Sequence, residues 1–122
     1  MSDSIKELTD LVVAFRDARD WKQFHNPKDL AISISLEAAE LLEAFQWSGT
    51  DVEADTEKKV STVREELADV IIYALLMAHD QGLDVSEIVR SKMEENGSKY
   101  PADKAYGRAD KYTAYKDGVQ DT

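Results

Sequence analysis

No cysteine occurs among the 122 residues. That excludes disulfides, thiolate nucleophiles and zinc–thiolate sites together. Basic side chains are scarce, with 15 Lys and Arg against 25 Asp and Glu and a net charge of -10. Duplex binding without sequence preference depends on Lys and Arg at phosphates, so no nucleic-acid partner is expected. No apolar run reaches the roughly 18 residues of a membrane-spanning helix, so no membrane partner is expected either. The opening MSDSIKEL lacks the basic-then-apolar order of a secretory signal, which points to a cytoplasmic protein. No Gly-rich phosphate loop and no Ser-His-Asp pattern is apparent. No period-two alternation marks a strand, and nothing repeats beyond two similar acidic helices. The length suits one domain, taken as residues 1–116, with 117–122 as a frayed tail.

What remains is helical. Ile5, Leu8, Leu11, Val12 and Phe15 recur at helical spacing and predict a first helix over 3–20. A connector over 20–24 carries Trp21 and Phe24. Asn26-Pro27 marks the next start, since Asn caps and Pro suits the first helical position. The second helix is expected over 27–46, with Leu30, Ile34, Ala38, Leu41 and Phe45 as its core stripe. The third, over 61–80, has Asp55 or Thr56 upstream as caps and Gly82 as its stop. Val60, Val63, Val70, Ile71 and Ala74 lie within about 60° of Leu67 on a wheel of 100° per residue, and predict its core face. The fourth covers about 85–96, burying Ile88, Val89 and Met93 and stopping at Asn96-Gly97. Beyond it the chain reads as an irregular tail. The fold class is therefore all-α, a four-helix bundle. Ile72, Leu75, Leu76 and Met77 widen the apolar face of the third helix, which implies a homo-oligomer.

The acidic residues carry the chemistry. Glu37 and Glu40 stand at i and i+3 on the second helix, and Glu66 and Asp69 on the third. Glu37 falls inside an apolar arc, where a lone carboxylate is costly unless paired or metal-bound. Two readings fit this spacing: solvated surface acids, common in so acidic a chain, or ligands of one metal. Two carboxylates about 5 Å apart repel by roughly 3 kcal/mol at an effective dielectric near 20. Packed together, four of them require a cation. Hard oxygen ligands without cysteine and with few histidines select Mg²⁺ or Mn²⁺ over zinc. Mg²⁺ held by few protein oxygens commonly takes substrate phosphates as well.

Other residues supply fitting parts. Trp21, Trp47 and Tyr73 offer rings for a nucleobase or for the core. Lys92, Asn96 and Lys99 offer donors for phosphate oxygens or are merely solvated. His25 suits a substrate hydrogen bond or the connector equally.

Four segments then bear on family: DWKQFHNPKDL, SLEAAELLEAFQW, EELADVIIYAL and SKMEENGSKYP, with KAYGRADKYT behind them. In this order and spacing the chain resembles the MazG-like all-α nucleoside triphosphate pyrophosphohydrolases, nearest their dCTP-hydrolysing branch. The resemblance implies hydrolysis of a nucleoside triphosphate, dCTP or a modified pyrimidine deoxynucleotide, to the monophosphate and pyrophosphate. It implies Mg²⁺ on Glu37, Glu40, Glu66 and Asp69, a base pocket of Trp21, Trp47 and Tyr73, and phosphate contacts from Lys92, Asn96, Lys99 and Tyr100. It also implies an intertwined dimer or a dimer-of-dimers tetramer. Val12 departs from the histidine that some members carry there, which bears on base preference more than on the reaction. Glu40, on the flank of its helix, is the choice for general base. A non-catalytic oligomerisation module, or a phosphohydrolase of another phosphorylated nucleotide, stays open beside this reading.

Overall fold

The structure is a computed structural model that describes residues 4–45 and 49–116. Five α-helices appear among the described residues: α1 (Ile5–Asp17), α2 (Pro27–Leu42), α3 (Glu57–Asp80), α4 (Val85–Lys99) and the short α5 (Ala102–Ala105). Turns of 3₁₀ helix cover Trp21–Phe24 and Tyr112–Lys116. The described residues hold no strand, so the chain is all-α.

The helix starts follow local chemistry. Ser4 and Glu7 form a reciprocal capping box on α1. Asn26 accepts the Asp29 amide at 2.9 Å, with Pro27 at the first helical position of α2. Thr56, one of the two expected caps, accepts the Lys59 amide at 3.1 Å to open α3. Gly82 follows α3 at φ 67°, a left-handed conformation that glycine adopts without cost.

Three helices end elsewhere than expected, the first of them α1, which stops at Asp17 rather than 20. Within the described residues α2 stops at Leu42, not 46, because Ala44 and Phe45 bond back three residues to Leu41 and Leu42, tightening the last turn. The fourth helix passes through Asn96-Gly97 to Lys99, with the Tyr100 amide bonded to the Asn96 carbonyl at 2.8 Å. Pro101 ends it, since the residue before a proline is driven out of helical geometry. Residues 117–122, expected to fray, lie outside the described residues.

The chain forms two compact units, Met1–Val85 and Ser86–Thr122. In the first, α2 packs extensively on α3, and α1 lies on α3. Late α2 and early α3 share one cavity, so this pair is an antiparallel hairpin. Val12 of α1 lines one cavity with Tyr73 of α3, and further along both helices Arg16 bonds to Asp80, so α1 runs parallel to α3. The core gathers at Leu30, Leu75, Leu76 and Ala78. In the second unit Tyr100 meets Tyr112 and Tyr115 edge-on, each at 5.8 Å. The expected tail therefore contains a short helix and an aromatic cluster. Ile88, Val89 and Met93, expected to be buried, are exposed in the single chain.

The largest correction concerns the orientation of α3. Its expected core face is turned outward at Leu67 and Ile71, which are 45% and 47% exposed, and at Val60 and Ala74. The side facing α1 and α2 is centred near Asp69 and Leu76, about 160–180° round the wheel from Leu67. Ala38, expected in the α2 core, is likewise exposed. A central helix apolar on two sides satisfies one with intrachain partners and leaves the other bare.

Leu30 is 1% exposed at the end of the hairpin away from the connecting loop. Leu30→Ala should cost about 3 kcal/mol of unfolding free energy in urea, against about 1 kcal/mol for the cap substitution Thr56→Ala. A Leu30 cost no larger than the cap's would place the core elsewhere.

Candidate active site

The hairpin brings the acids of α2 and α3 together. Glu37, Glu40 and Glu66 each offer a carboxylate oxygen within 4.8 Å of the others. Antiparallel packing puts the second half of α2 against the first half of α3, and this register carries the three groups to one level. Glu40 is exposed, whereas Glu37 and Glu66 are half-buried. Glu66 Oε1 is buried with no hydrogen-bond partner. An oxygen in that state calls for a partner such as a water or a cation.

Burial pushes the Glu37 carboxyl up to about 7. Hydrogen bonding with Glu40 and Glu66 adds to the shift, as does the negative charge of Glu40 and Asp69. The described chain thus lowers its local charge by retaining a proton on Glu37. The donor set is all oxygen and anionic, which fits a hard divalent cation. Glu37, Glu40 and Glu66 are the residues able to hold it. Asp69, the fourth expected ligand, is outside that cluster but close enough for its charge to act on Glu37.

Asp69 instead lines an adjoining apolar cavity of about 520 Å³. Trp21, His25 and Tyr73, three residues singled out from the sequence, line it too, as does Val12. The wall forms where α1 ends. Asp20 adopts φ 55°, tolerable for Asp in a single left-handed residue, and Gln23 donates to its carbonyl and carboxylate at 3.0 Å. The reversed chain turns Trp21 edge-on to Phe15 at 5.8 Å. His25 Nδ1 is buried without a partner. Trp47 lies outside the described residues.

Lys92, Asn96, Lys99 and Tyr100 belong to the second unit. Lys92 and Lys99 both pair with Glu95, at 3.0 and 3.2 Å. Asn96 Nδ2 reaches Met93 Sδ at 3.9 Å, and Tyr100 packs in the tyrosine cluster.

Sequence reasoning missed Arg16, which is 2% exposed and lines the aromatic cavity. Its Nη1 donates to both oxygens of Asp80 at 2.7 and 2.9 Å. The signal was available: Arg16 lies four residues after Val12, a charged residue within an apolar arc, as Glu37 is on α2.

Comparison with known proteins bears on family and fold. Residues 32–114 match the model of the MazG-like family. Mouse dCTP pyrophosphatase 1 is 36% identical over 114 residues, covering 90% of this chain and 66% of the relative. The chain thus spans just under two thirds of that relative's length. Human dCTP pyrophosphatase 1 is 35% identical over 120 residues, covering 95% of this chain and 70% of the relative. A solved pyrophosphatase from Archaeoglobus fulgidus DSM 4304 superposes with a TM-score of 0.71 at 42% identity, covering 83% of this chain and 95% of that one.

The raised Glu37 pKa has a consequence for stability. In the unfolded chain Glu37 loses its proton near its ordinary value of 4.5, whereas the folded chain keeps it to about 7. The contribution of the protonated group is complete below 4.5 and is lost as pH rises towards 7. Metal-free protein should therefore melt at progressively lower temperature across that window, and Glu37→Gln should flatten the trend. Identical slopes in the two proteins would refute the coupling.

Proposed function

The chain belongs to the MazG-like family, and from that premise we propose that it hydrolyses a nucleoside triphosphate to the monophosphate and pyrophosphate. The observation that carries this reading is the convergence of Glu37, Glu40 and Glu66 beside a cavity walled by Trp21 and Tyr73. Mg²⁺, with Mn²⁺ as a substitute, is the cofactor proposed. Glu37, Glu40 and Glu66 would hold it, with Asp69 added as a ligand by family resemblance, and the unpartnered oxygen of Glu66 is one reason for the fit. When bound, the cation supplies neutralisation of phosphate charge and orientation of a water molecule.

The protein's own side chains do the rest. Trp21 and Tyr73 stack the base, an interaction worth about 1–3 kcal/mol per base that tolerates all bases. His25 presents a buried ring nitrogen to the base edge, where choice among bases must arise. Glu40, the exposed member of the cluster, takes the proton of the attacking water. The bond broken joins the α-phosphorus to the bridging oxygen of the leaving pyrophosphate. Lys92, Asn96, Lys99 and Tyr100 are assigned to the phosphates, and Trp47 to the base, by family resemblance. The family match crosses both compact units, which supports reading 1–116 as one functional domain. dCTP or a modified pyrimidine deoxynucleotide is the proposed substrate, following the relatives' names. The role proposed is cytoplasmic nucleotide-pool control or house-cleaning. No helix among the described residues is long and apolar enough to cross a membrane.

A triphosphate panel with Mg²⁺ tests the reaction. Pyrophosphate and a nucleoside monophosphate should appear in equal amounts, and kcat/KM should be highest for dCTP. Glu37→Gln and Asp69→Asn should abolish turnover in a folded protein. Near-wild-type rates in both variants would sink the metal-site reading. A purine nucleotide leading by tenfold, about 1.4 kcal/mol in transition-state binding, would sink the pyrimidine pocket alone. No turnover of any nucleotide would favour an oligomerisation module, and a different product set another phosphohydrolase.

A homodimer, or a tetramer built as a dimer of dimers, is proposed from the outer face of α3. Val60, Leu67 and Ile71 are exposed there, and such a stripe calls for a partner. Light scattering should give a mass at least twice 13.7 kDa. The paired substitution Leu67→Glu and Ile71→Glu should lower it. A monomer with full activity would overturn the assembly.

A further inference from the structure

The catalytic reading leaves Arg16 without a task, although it is the only buried charged residue among those described. Its Nη1 donates twice to Asp80, and its Nε donates to Asp17 at 3.1 Å. The Asp80 side chain is itself nearly buried. Three charge-assisted hydrogen bonds to two carboxylates make such a guanidinium tolerable. They do not make it the stable choice, since well-packed apolar side chains commonly replace a buried ion pair without loss. A role beyond stability accounts for it better.

The pair joins residues 64 apart in sequence. It ties the last turn of α1 to the last residue of α3. The corner carrying Trp21 begins at this tie: the amides of Arg19 and Asp20 bond back to the carbonyls of Arg16 and Asp17, both at 3.1 Å. Asp20 then reverses the chain and Trp21 follows. Elsewhere α1 grips weakly, with Leu11 and Phe15 more than half exposed. The opposite wall of the cavity, Asp69 and Tyr73, stands on α3.

We propose that Arg16 is a positioning residue for the nucleobase. The Arg16–Asp80 pair sets the gap between the corner bearing Trp21 and His25 and the face of α3 bearing Asp69 and Tyr73. This rests on the nucleotide reading above. A ring between two flat surfaces stacks whatever its identity. A gap of fixed width also holds the base edge in register with His25, and that register turns binding into choice. A loosened tie still admits the base but positions it poorly.

Steady-state kinetics with the full triphosphate panel test this in Arg16→Met and Asp80→Asn. KM for the preferred nucleotide should rise tenfold or more while kcat stays within threefold, and the ratio of kcat/KM between best and worst bases should shrink at least fivefold. Loss of folded protein alone would lower kcat and leave KM and the base ratios unchanged. Arg16→Met leaves the Asp80 charge unpaired and Asp80→Asn leaves Arg16 with Asp17 alone, so either single variant risks unfolding. The double variant Arg16→Met with Asp80→Leu removes both charges, should fold, and should still show the raised KM. The charge-swapped pair Arg16→Asp with Asp80→Arg should recover part of the lost base discrimination. Wild-type KM and base ratios in folded variants would overturn the proposal. A readout independent of turnover separates it from the hydrolase reading. In a Trp47→Phe background Trp21 is the sole indole, and acrylamide quenching of its fluorescence should rise about twofold on Arg16→Met. Unchanged quenching overturns the tie, even in a protein that hydrolyses nucleotides; raised quenching supports it, even in one that does not.

Discussion

Mutual repulsion among carboxylates on facing helices is the constraint on which the structure turns. The α2–α3 hairpin holds three of them within 4.8 Å, where each ionised pair near 5 Å costs roughly 3 kcal/mol at an effective dielectric of 20. Without a cation the chain relieves this by keeping a proton on Glu37 up to about pH 7. A cation relieves it differently, by displacing that proton. The hairpin has to stay closed against the repulsion. Leu30, Leu75 and Leu76 pack at one end. At the other, Lys59 gathers Asp51 and Asp55 of the connecting loop onto the first turn of α3.

The aromatic cavity depends on different forces. Its walls come from α1, the 3₁₀ turn and α3, and only α3 also belongs to the acidic cluster. Tyr73 follows Asp69 by four residues, so one helical row presents a carboxylate and then a ring. A molecule with an anionic end and a flat end fits such a row. Across the cavity the polar tie is the Arg16–Asp80 pair, while Arg19 lies over the Phe15 ring at 3.6 Å and stiffens the corner.

Much of this was legible in the chain. The all-α class, the caps at Asn26 and Thr56 and the stop at Gly82 follow from local chemistry, which acts over three or four residues and is written in them. Glu37 was marked by its place within an apolar arc, and the i, i+3 spacing of the acids survives folding because a helix preserves it. Helix ends were less legible. Pro101 stops α4 where Asn96-Gly97 does not, since glycine lowers helix stability without forbidding the helix, whereas proline excludes it sterically.

The sequence by itself determined the four long helices, though not their ends, and that two acidic pairs and several aromatic rings would be presented at fixed spacing. Only the tertiary structure decided which side of α3 faces inward. A helical wheel ranks sides by apolarity, and on α3 the more apolar side, through Leu67 and Ile71, is the outward one. The inward side carries Glu66, Asp69 and Tyr73, whose polar groups the hairpin turns towards the site. Tertiary packing also brought Glu66 to Glu37 and Glu40, placed Asp69 in the aromatic cavity and joined Arg16 to Asp80. Those are contacts between helices, and helical periodicity records the direction a side chain takes from its own axis but not the distance to the neighbour it meets.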